Sequence, residues 1–170
     1  EDTRISVFRQ VMDVNFFGAL YCTKAALPGI IQSKGSIIVN ESIAGVAPLL
    51  GRSGYSASKH ALHGMFTSLR CELAHRQVHV MIVCPGFIRT NLQMRALGED
   101  GGIAAHEQTK FGREDTPERA AREIVAALIK KRNMLVLTPV GKLGYILSRL
   151  SPPLYERLMT RQFKKELNVV

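Results

Sequence analysis

The chain has 170 residues, of which 46% are apolar, so it can bury one sizeable core and corresponds to a single domain or a piece of one. No run reaches the roughly 18 consecutive apolar residues of a membrane helix, and the charged start lacks a signal-peptide pattern, so we expect a cytoplasmic protein. The formal charge of +9 is mostly local, because residues 130–165 hold one acid, Glu156, and nine basic residues: Lys130, Lys131, Arg132, Lys142, Arg149, Arg157, Arg161, Lys164 and Lys165.

The first predicted elements are a helix, a strand and a second helix. Apolar residues at helical spacing predict a helix over residues 5–33, bent near Pro28. "SIIVN" is a β-branched run typical of a strand buried on both faces, and a loop rich in Gly and Ser follows it. A single apolar stripe then predicts a helix over residues 55–76.

The second half continues the alternation. "VHVMIVCPG" predicts a buried strand, and residues 91–115 predict a long loop with one short helix. Thr116 as N-cap and Pro117 at the first position predict the start of the next helix. Its expected core face consists of Ala121, Ile124, Val125, Leu128 and Ile129. "MLVLTP" is the last strand, and residues 141–167 predict two amphipathic helices divided by "SPP".

This order of elements defines an α/β fold. Strands that alternate with helices and are apolar on both faces predict a parallel sheet covered on both sides, which is a three-layer α/β/α arrangement. Three strands would leave an edge exposed, so we expect the C-terminal half of a doubly wound domain whose N-terminal βαβ half is missing. Residues 1–140 would form that half, with 91–115 as the substrate loop, and residues 141–170 a helical extension.

Ligands bind such sheets at the carboxyl ends of the strands, where Ser42 follows the first strand. Tyr55 and Lys59 are four residues apart and share one face of the next helix. An ammonium near a phenol lowers its pKa toward the range useful for acid–base chemistry. Spacing alone also fits a plain surface pair, and Ser42 alone also fits a turn or helix cap.

Four motifs together resemble one known family. "YSASK", the upstream "S-I-A-G", "MDVNFFG" and "CPGFIRT" look like the C-terminal half of the classical short-chain dehydrogenases/reductases, over residues 8 to 138. The resemblance implies a Rossmann-type fold and an oxidoreductase that transfers a hydride between NADP or NAD and a carbonyl or secondary alcohol. It also implies a homodimer or homotetramer formed through the helices at 5–33 and 55–76.

The resemblance also implies a role for each matched residue. Tyr55 is the catalytic acid or base, Lys59 lowers the tyrosine pKa and binds the nicotinamide ribose, and Ser42 orients the substrate oxygen. Asn15 supports a water relay to the lysine. The segment that would hold the nicotinamide carboxamide matches at Pro85, Gly86, Ile88 and Thr90.

Two departures from the family pattern stand out. The residue before the family serine is commonly small or polar, and here it is Glu41, which is either exposed and inert or tunes the site; strand alternation turns it away from Ser42 and favours the inert alternative. The glycine-rich phosphate loop and the residue that selects NAD or NADP belong to the missing half. We therefore expect this chain alone to bind cofactor weakly.

The substrate and the partners are less constrained. Leu92, Met94, Leu97 and Ile103 give the loop an apolar side that Leu143, Ile146 and Leu147 would extend, which predicts a lipophilic substrate, although helix amphipathicity explains these residues equally well. The alternatives are a membrane-peripheral protein bound through the basic helices of 141–167 and a catalytically silent scaffold or dimerisation unit. No motif supports nucleic-acid binding. The three cysteines predict neither a disulfide nor a metal site, and we expect all of them to be buried.

Overall fold

The computed structural model describes residues 2–104 and 114–163. Three parallel strands occupy the order β1-β2-β3: β1 Ser36–Asn40, β2 His79–Cys84 and β3 Met134–Val136. The helices of the described residues are α1 Ile5–Met12, α2 Gly18–Gln32, α3 Ser53–Leu73, α4 Pro117–Ile129, α5 Pro139–Leu150 and α6 Pro152–Phe163. The predicted alternation and the parallel sheet are confirmed.

The central strand β2 is buried on both faces, as its unbroken apolar sequence predicts. On one face Val80 and Ile82 pack against Leu62 and Phe66 of α3. On the other face Met81 and Val83 belong to a second cluster with two alanines of α4, Ala120 and Ala127, and with Leu135 and Leu137. Helices therefore cover the sheet from both sides, which confirms the three-layer arrangement.

The first helical stretch contains a π-helical segment that the sequence does not predict, and the bend near Pro28 stays a prediction. Pro28 lies inside α2, whereas a π-helical segment, Asp13–Phe17, joins α1 to α2. By length and composition alone Ile5–Gln32 is long and apolar enough to cross a membrane, which the count of consecutive apolar residues does not reveal. Core helices of soluble proteins pass the same test, and this stretch packs several side chains on the core: Phe16, Ala19, Leu27, Ile30 and Ile31.

Two predictions about burial are wrong. Thr116 caps α4 as predicted, but Ala121, Val125 and Ile129 of the predicted core face are exposed, because α4 approaches the sheet through its small residues Ala120 and Ala127. Of the three cysteines, Cys22 and Cys71 are exposed and Cys84 is buried, since Cys84 lies at the end of the central strand.

The C-terminal helices pack on the loop that follows β1. Ser148 Oγ donates to the Val46 carbonyl at 3.2 Å, and the Tyr155 hydroxyl donates to the Pro48 carbonyl at 2.8 Å.

In the predicted substrate loop a short 3-10 turn, Gln93–Arg95, precedes a bridge between Leu97 and Ile103. Residues 105–113 of that loop and residues 164–167 of the predicted last helix lie outside the described residues, and the domain division at residue 140 stays a prediction.

Two leucines test where the core lies. Leu73 at the end of α3 is 6% exposed and Leu150 at the end of α5 is 81% exposed. Leu73→Ala should lower the free energy of unfolding by about 2–5 kcal/mol, because it removes apolar contacts and leaves a cavity. Leu150→Ala should change it by less than about 0.5 kcal/mol. Urea unfolding followed by circular dichroism measures both, and equal losses would contradict this description of the core.

Candidate active site

Ser42 is held by a continuation of the sheet pairing beyond β1. The Glu41 amide donates to the Val83 carbonyl and the Ile43 amide donates to the Pro85 carbonyl, both at 2.9 Å. Ser42 lies between these two backbone bonds, and its Oγ accepts the Ala44 amide at 3.1 Å at the start of a 3-10 turn. The predicted capping role is therefore real, and the same hydroxyl has a second partner.

That second partner is Tyr55. Helix α3 begins at Ser53, so Tyr55 lies in its first turn, where the nearby Ser42 side chain acts to lower the pKa of the phenol. The Lys59 Nζ lies 5.6 Å from the centroid of the Tyr55 ring and donates to the Asn40 carbonyl at 3.4 Å. The fold thus brings the predicted Ser42, Tyr55 and Lys59 into one cluster.

Asn15 joins this cluster through a residue that the sequence reasoning missed. Its Nδ2 donates to Ser58 Oγ at 3.0 Å, and Ser58 Oγ donates to the Tyr55 carbonyl at 2.7 Å. Asn15 lies in the π-helical segment, and such segments frequently occur at functional sites. Ser58 is fully buried. Its position one helical turn after Tyr55 is the sequence signal that could have identified it as part of the site.

Two clefts meet at the cluster. The larger cleft has a volume of about 630 Å³, and its lining includes Asn15, Ser42, Tyr55, Gly86, Ile88 and Thr90. The edge cleft, of about 340 Å³, follows the outer edge of β1 and is lined by Asn15, Asn40 and Lys59 among others. Six of the eight predicted site residues therefore line the larger cleft: Asn15, Ser42, Tyr55, Gly86, Ile88 and Thr90. Lys59 lines the edge cleft, as Asn15 also does.

The segment after β2 is fixed by close packing. A side chain at Gly86 would bring its Cβ within 2.7 Å of Thr138 Oγ1, so glycine permits this approach. The Arg89 amide donates to the Asp115 carbonyl, and the Asp115 amide donates to the Phe87 carbonyl, both at 2.9 Å. These two hydrogen bonds hold the chain on either side of Ile88. Thr90 is exposed, and its Oγ1 accepts the Leu92 amide at 3.3 Å.

The electrostatics differ from the simple expectation of a lowered tyrosine pKa. Burial raises the pKa of Tyr55, and the Ser42 hydrogen bond and the positive charge of Arg52 oppose that rise without overcoming it. Burial also lowers the pKa of Lys59, which weakens the charged form of the ammonium. In this chain desolvation therefore outweighs the charges around the phenol.

Glu41 is not exposed, and that expectation is wrong. Its residue exposure is 3%, because the chain turns sharply after β1 and folds the carboxylate under the turn. His63 Nδ1 lies 3.0 Å from Oε1, and Cys84 Sγ donates to Oε2 at 2.9 Å. Strand alternation does hold here, since Ile37, Val39 and Glu41 are buried and Ile38 and Asn40 are exposed, but the side that faces away from Ser42 is covered by α3 and not by solvent.

The apolar wall of the larger cleft is only partly as predicted. Leu92 and Leu97 line the cleft, together with Phe8, Val11, Leu49 and Phe87, whereas Met94, Ile103, Leu143, Ile146 and Leu147 are not among its described lining residues. Arg52 and Arg95, which no motif marked, add positive charge, and the Arg52 guanidinium lies 5.8 Å from the Phe87 ring centroid. The cavity is therefore apolar with a basic rim.

Comparison with known proteins agrees with this geometry. A family model described as short chain dehydrogenase matches residues 1–100. The chain therefore belongs to the short-chain dehydrogenase family. Among curated relatives, dehydrogenase/reductase SDR family member 7B of Xenopus tropicalis is 37% identical over 167 residues, 97% of this chain and 54% of the relative, and that of Bos taurus is 39% identical over 169 residues, 97% and 51%.

Solved structures show the same fold. A short-chain dehydrogenase from Streptomyces avermitilis is 26% identical with a TM-score of 0.72, and the match covers 98% of this chain and 63% of the Streptomyces chain. A short-chain dehydrogenase from Burkholderia cenocepacia, solved with NADP, is 24% identical with a TM-score of 0.75, and the match covers 89% of this chain and 58% of the Burkholderia chain. The chain thus spans about half the length of the curated relatives that it matches.

The Ser42 hydroxyl should control the titration of Tyr55. Because its hydrogen bond favours the phenolate, Ser42→Ala should raise the pKa of Tyr55 further, and Ser42→Thr, which keeps a hydroxyl, should leave it near the wild-type value. NMR titration of the protein with ¹³C-labelled tyrosine, assigned with Tyr55→Phe, measures this directly. A lower pKa in Ser42→Ala would contradict the described contact.

Proposed function

We propose that the full-length protein is an NAD(P)-dependent oxidoreductase that transfers a hydride between a nicotinamide cofactor and a carbonyl or secondary alcohol. The observation that carries this proposal is that Ser42 and Tyr55 line the same larger cleft, with the Lys59 ammonium 5.6 Å from the centroid of the phenol ring. Family membership supports the reaction class.

The residues present fit the nicotinamide half of such a cofactor. An ammonium has three donors and the Asn40 carbonyl takes one, so Lys59 retains donors for ribose hydroxyls beside the Tyr55 phenol. The segment with Pro85, Gly86, Ile88 and Thr90 would hold the carboxamide, since three of these four residues line the cleft that Tyr55 also lines. When bound, the nicotinamide gives or accepts the hydride. A relative in the family was solved with NADP, and the choice between NADP and NAD stays open.

The chain's own groups would handle the proton. The raised pKa of Tyr55 keeps the phenol protonated at neutral pH, which is the form that gives a proton to a carbonyl oxygen. The Ser42 hydroxyl would donate to the same oxygen as negative charge develops on it. The Asn15–Ser58 bond would hold the first turn of α3 so that the phenol keeps its position.

The substrate class that we propose is a lipophilic carbonyl or alcohol. Many apolar side chains line the larger cleft, among them Phe8, Val11, Leu49, Phe87, Leu92 and Leu97. Apolar walls with few polar groups are the usual form of small-molecule sites. Pairing of two or four copies through α1–α2 and α3 stays part of the proposal, supported by the exposed apolar residues Val14 and Tyr21 on that first helical stretch.

Tyr55→Phe tests the assignment in the full-length protein. Removal of the hydroxyl removes the proton path, so turnover should fall by at least about 10²-fold while cofactor binding, followed by fluorescence titration, stays nearly unchanged. Tyr21→Phe removes the same group from an exposed residue of α2 and should retain wild-type turnover. Substantial turnover in Tyr55→Phe would exclude Tyr55 as the acid or base.

A second candidate function is membrane association through α5 and α6. Six large apolar side chains on the described parts of these helices are exposed: Val140, Leu143, Ile146, Leu150, Leu154 and Leu158. Lys142, Arg149, Arg157 and Arg161 accompany them, against one acid, Glu156. An amphipathic basic helix pair of this kind suits the surface of an anionic membrane.

Sedimentation with liposomes of anionic phospholipid tests this candidate. The double variant Leu143→Asp/Leu150→Asp should lose most of the lipid-bound fraction, because it places acids on the apolar face. Ile129→Asp on α4, at a residue that is 75% exposed, is the matched control and should bind as the wild type does. Equal binding by the wild type and the double variant would exclude α5 as the lipid contact.

A further inference from the structure

Glu41 is a buried acid that has no role in the reaction proposed above. It follows β1 directly and precedes Ser42, and it lines neither the larger cleft nor the edge cleft as far as their described walls extend. Its side chain is 0% exposed. A buried carboxylate is costly unless it is paired and hydrogen-bonded, so its retention requires compensating contacts.

Those contacts come from two other elements. His63 on α3 lies against Oε1, and the thiol of Cys84 at the end of β2 donates to Oε2. Burial and the charge of Glu41 raise the pKa of Cys84, which keeps the thiol protonated as a donor. Each carboxylate oxygen therefore has a partner, and the carboxylate links α3 to the ends of β1 and β2.

The turn that carries Ser42 is built around this carboxylate. A Cβ at Gly45 would lie 2.6 Å from Glu41 Cδ, a distance that real contacts do not reach. Gly45 closes the 3-10 turn capped by Ser42, and its amide donates to the Ser42 carbonyl at 3.0 Å. The absence of a side chain at Gly45 thus leaves the space that the carboxylate fills.

The carboxylate also acts at a distance on the proton-transfer pair. Its negative charge raises the pKa of Tyr55 and opposes the burial-driven fall in the pKa of Lys59. The other groups near the phenol are the Ser42 hydroxyl and the Arg52 guanidinium, both of which lower the pKa of Tyr55, and the Lys59 ammonium, which lies 5.6 Å from the ring centroid. Glu41 is thus the charge that opposes them.

We propose that Glu41 is a positioning residue of the reaction centre, a buried carboxylate held by Cys84 and His63 around which the turn that carries Ser42 is built. This inference rests on the proposed function. Glu41 touches neither cleft, so it acts through Ser42, Tyr55 and Lys59 and not on the substrate.

Glu41→Gln in the full-length protein tests the charge. The amide keeps the shape and can bond to both partners, but it removes the negative charge, so the titration of Tyr55 should move to lower pH. The limb of the pH profile of kcat/KM that Tyr55 governs should move the same way in either reaction direction, because oxidation needs the phenolate and reduction the phenol. KM should change less than about twofold, since no contact with substrate is lost.

Two control variants separate charge from packing. Glu123→Gln removes one negative charge from the pair with Arg119 on α4 and should leave the Tyr55 titration unchanged. Glu41→Asp keeps the charge but shortens the side chain, so Tyr55 should titrate closer to wild type than in Glu41→Gln. An unchanged Tyr55 titration in Glu41→Gln, or an equal shift in Glu41→Asp, would overturn the electrostatic role.

A second measurement tests the inference even if the Glu41→Gln variant does not fold. Gly45→Ala should destabilise the wild type, and most of that cost should vanish in Glu41→Ser, where the colliding carboxylate is absent. An equal cost of Gly45→Ala in both backgrounds would show that the turn is not built around Glu41. The Tyr55 titration by ¹³C NMR needs no turnover, so a failure of the Glu41 inference there is distinct from failure of the oxidoreductase proposal, which Tyr55→Phe decides.

Discussion

The parallel pairing of β1 with β2 is the constraint from which the candidate site follows. The register that pairs Asn40 with Val83 does not stop at the end of the strands, because the Glu41 and Ile43 amides continue it onto the Val83 and Pro85 carbonyls. This extension holds the segment with Ser42 beside the segment with Gly86. Residues more than 40 positions apart in the sequence thus meet at one edge of the sheet, where open α/β sheets bind ligands.

Helix α3 completes this edge, and its placement directs Tyr55 and Lys59 to two different clefts. Its apolar side packs Leu62 and Phe66 on the sheet, which leaves the first turn above the carboxyl ends of the strands. Tyr55 then faces the larger cleft with Ser42, while Lys59, one turn later, faces the edge cleft beside Asn40. The Tyr55 phenol and the Lys59 ammonium, four residues apart, therefore line two different clefts that meet at this end of α3.

The sequence predicts most of the fold because the strands are short unbroken apolar runs and Thr116 and Pro117 are strong start signals. It predicts the site through motif spacing, which the helix geometry preserves. It fails where competing effects decide: at Tyr55 burial outweighs the neighbouring charges, and no spacing rule contains a desolvation cost. It also fails for Ile129, because an apolar stripe does not say how much of its width the sheet covers.

Glu41 shows a subtler failure of sequence reasoning, because strand alternation correctly places it on the side of Ile37 and Val39 but does not say that α3 covers that side. On this covered side a carboxylate is stable only with hydrogen-bond partners from distant segments. Cys84 and His63 supply the hydrogen-bond partners and Gly45 the space, each from a different part of the chain. Cys84 packs in the apolar core and also donates a hydrogen bond, so an acid, a thiol, an imidazole and a glycine form one unit. A change at any one of them acts on the other three and, through the turn, on Ser42.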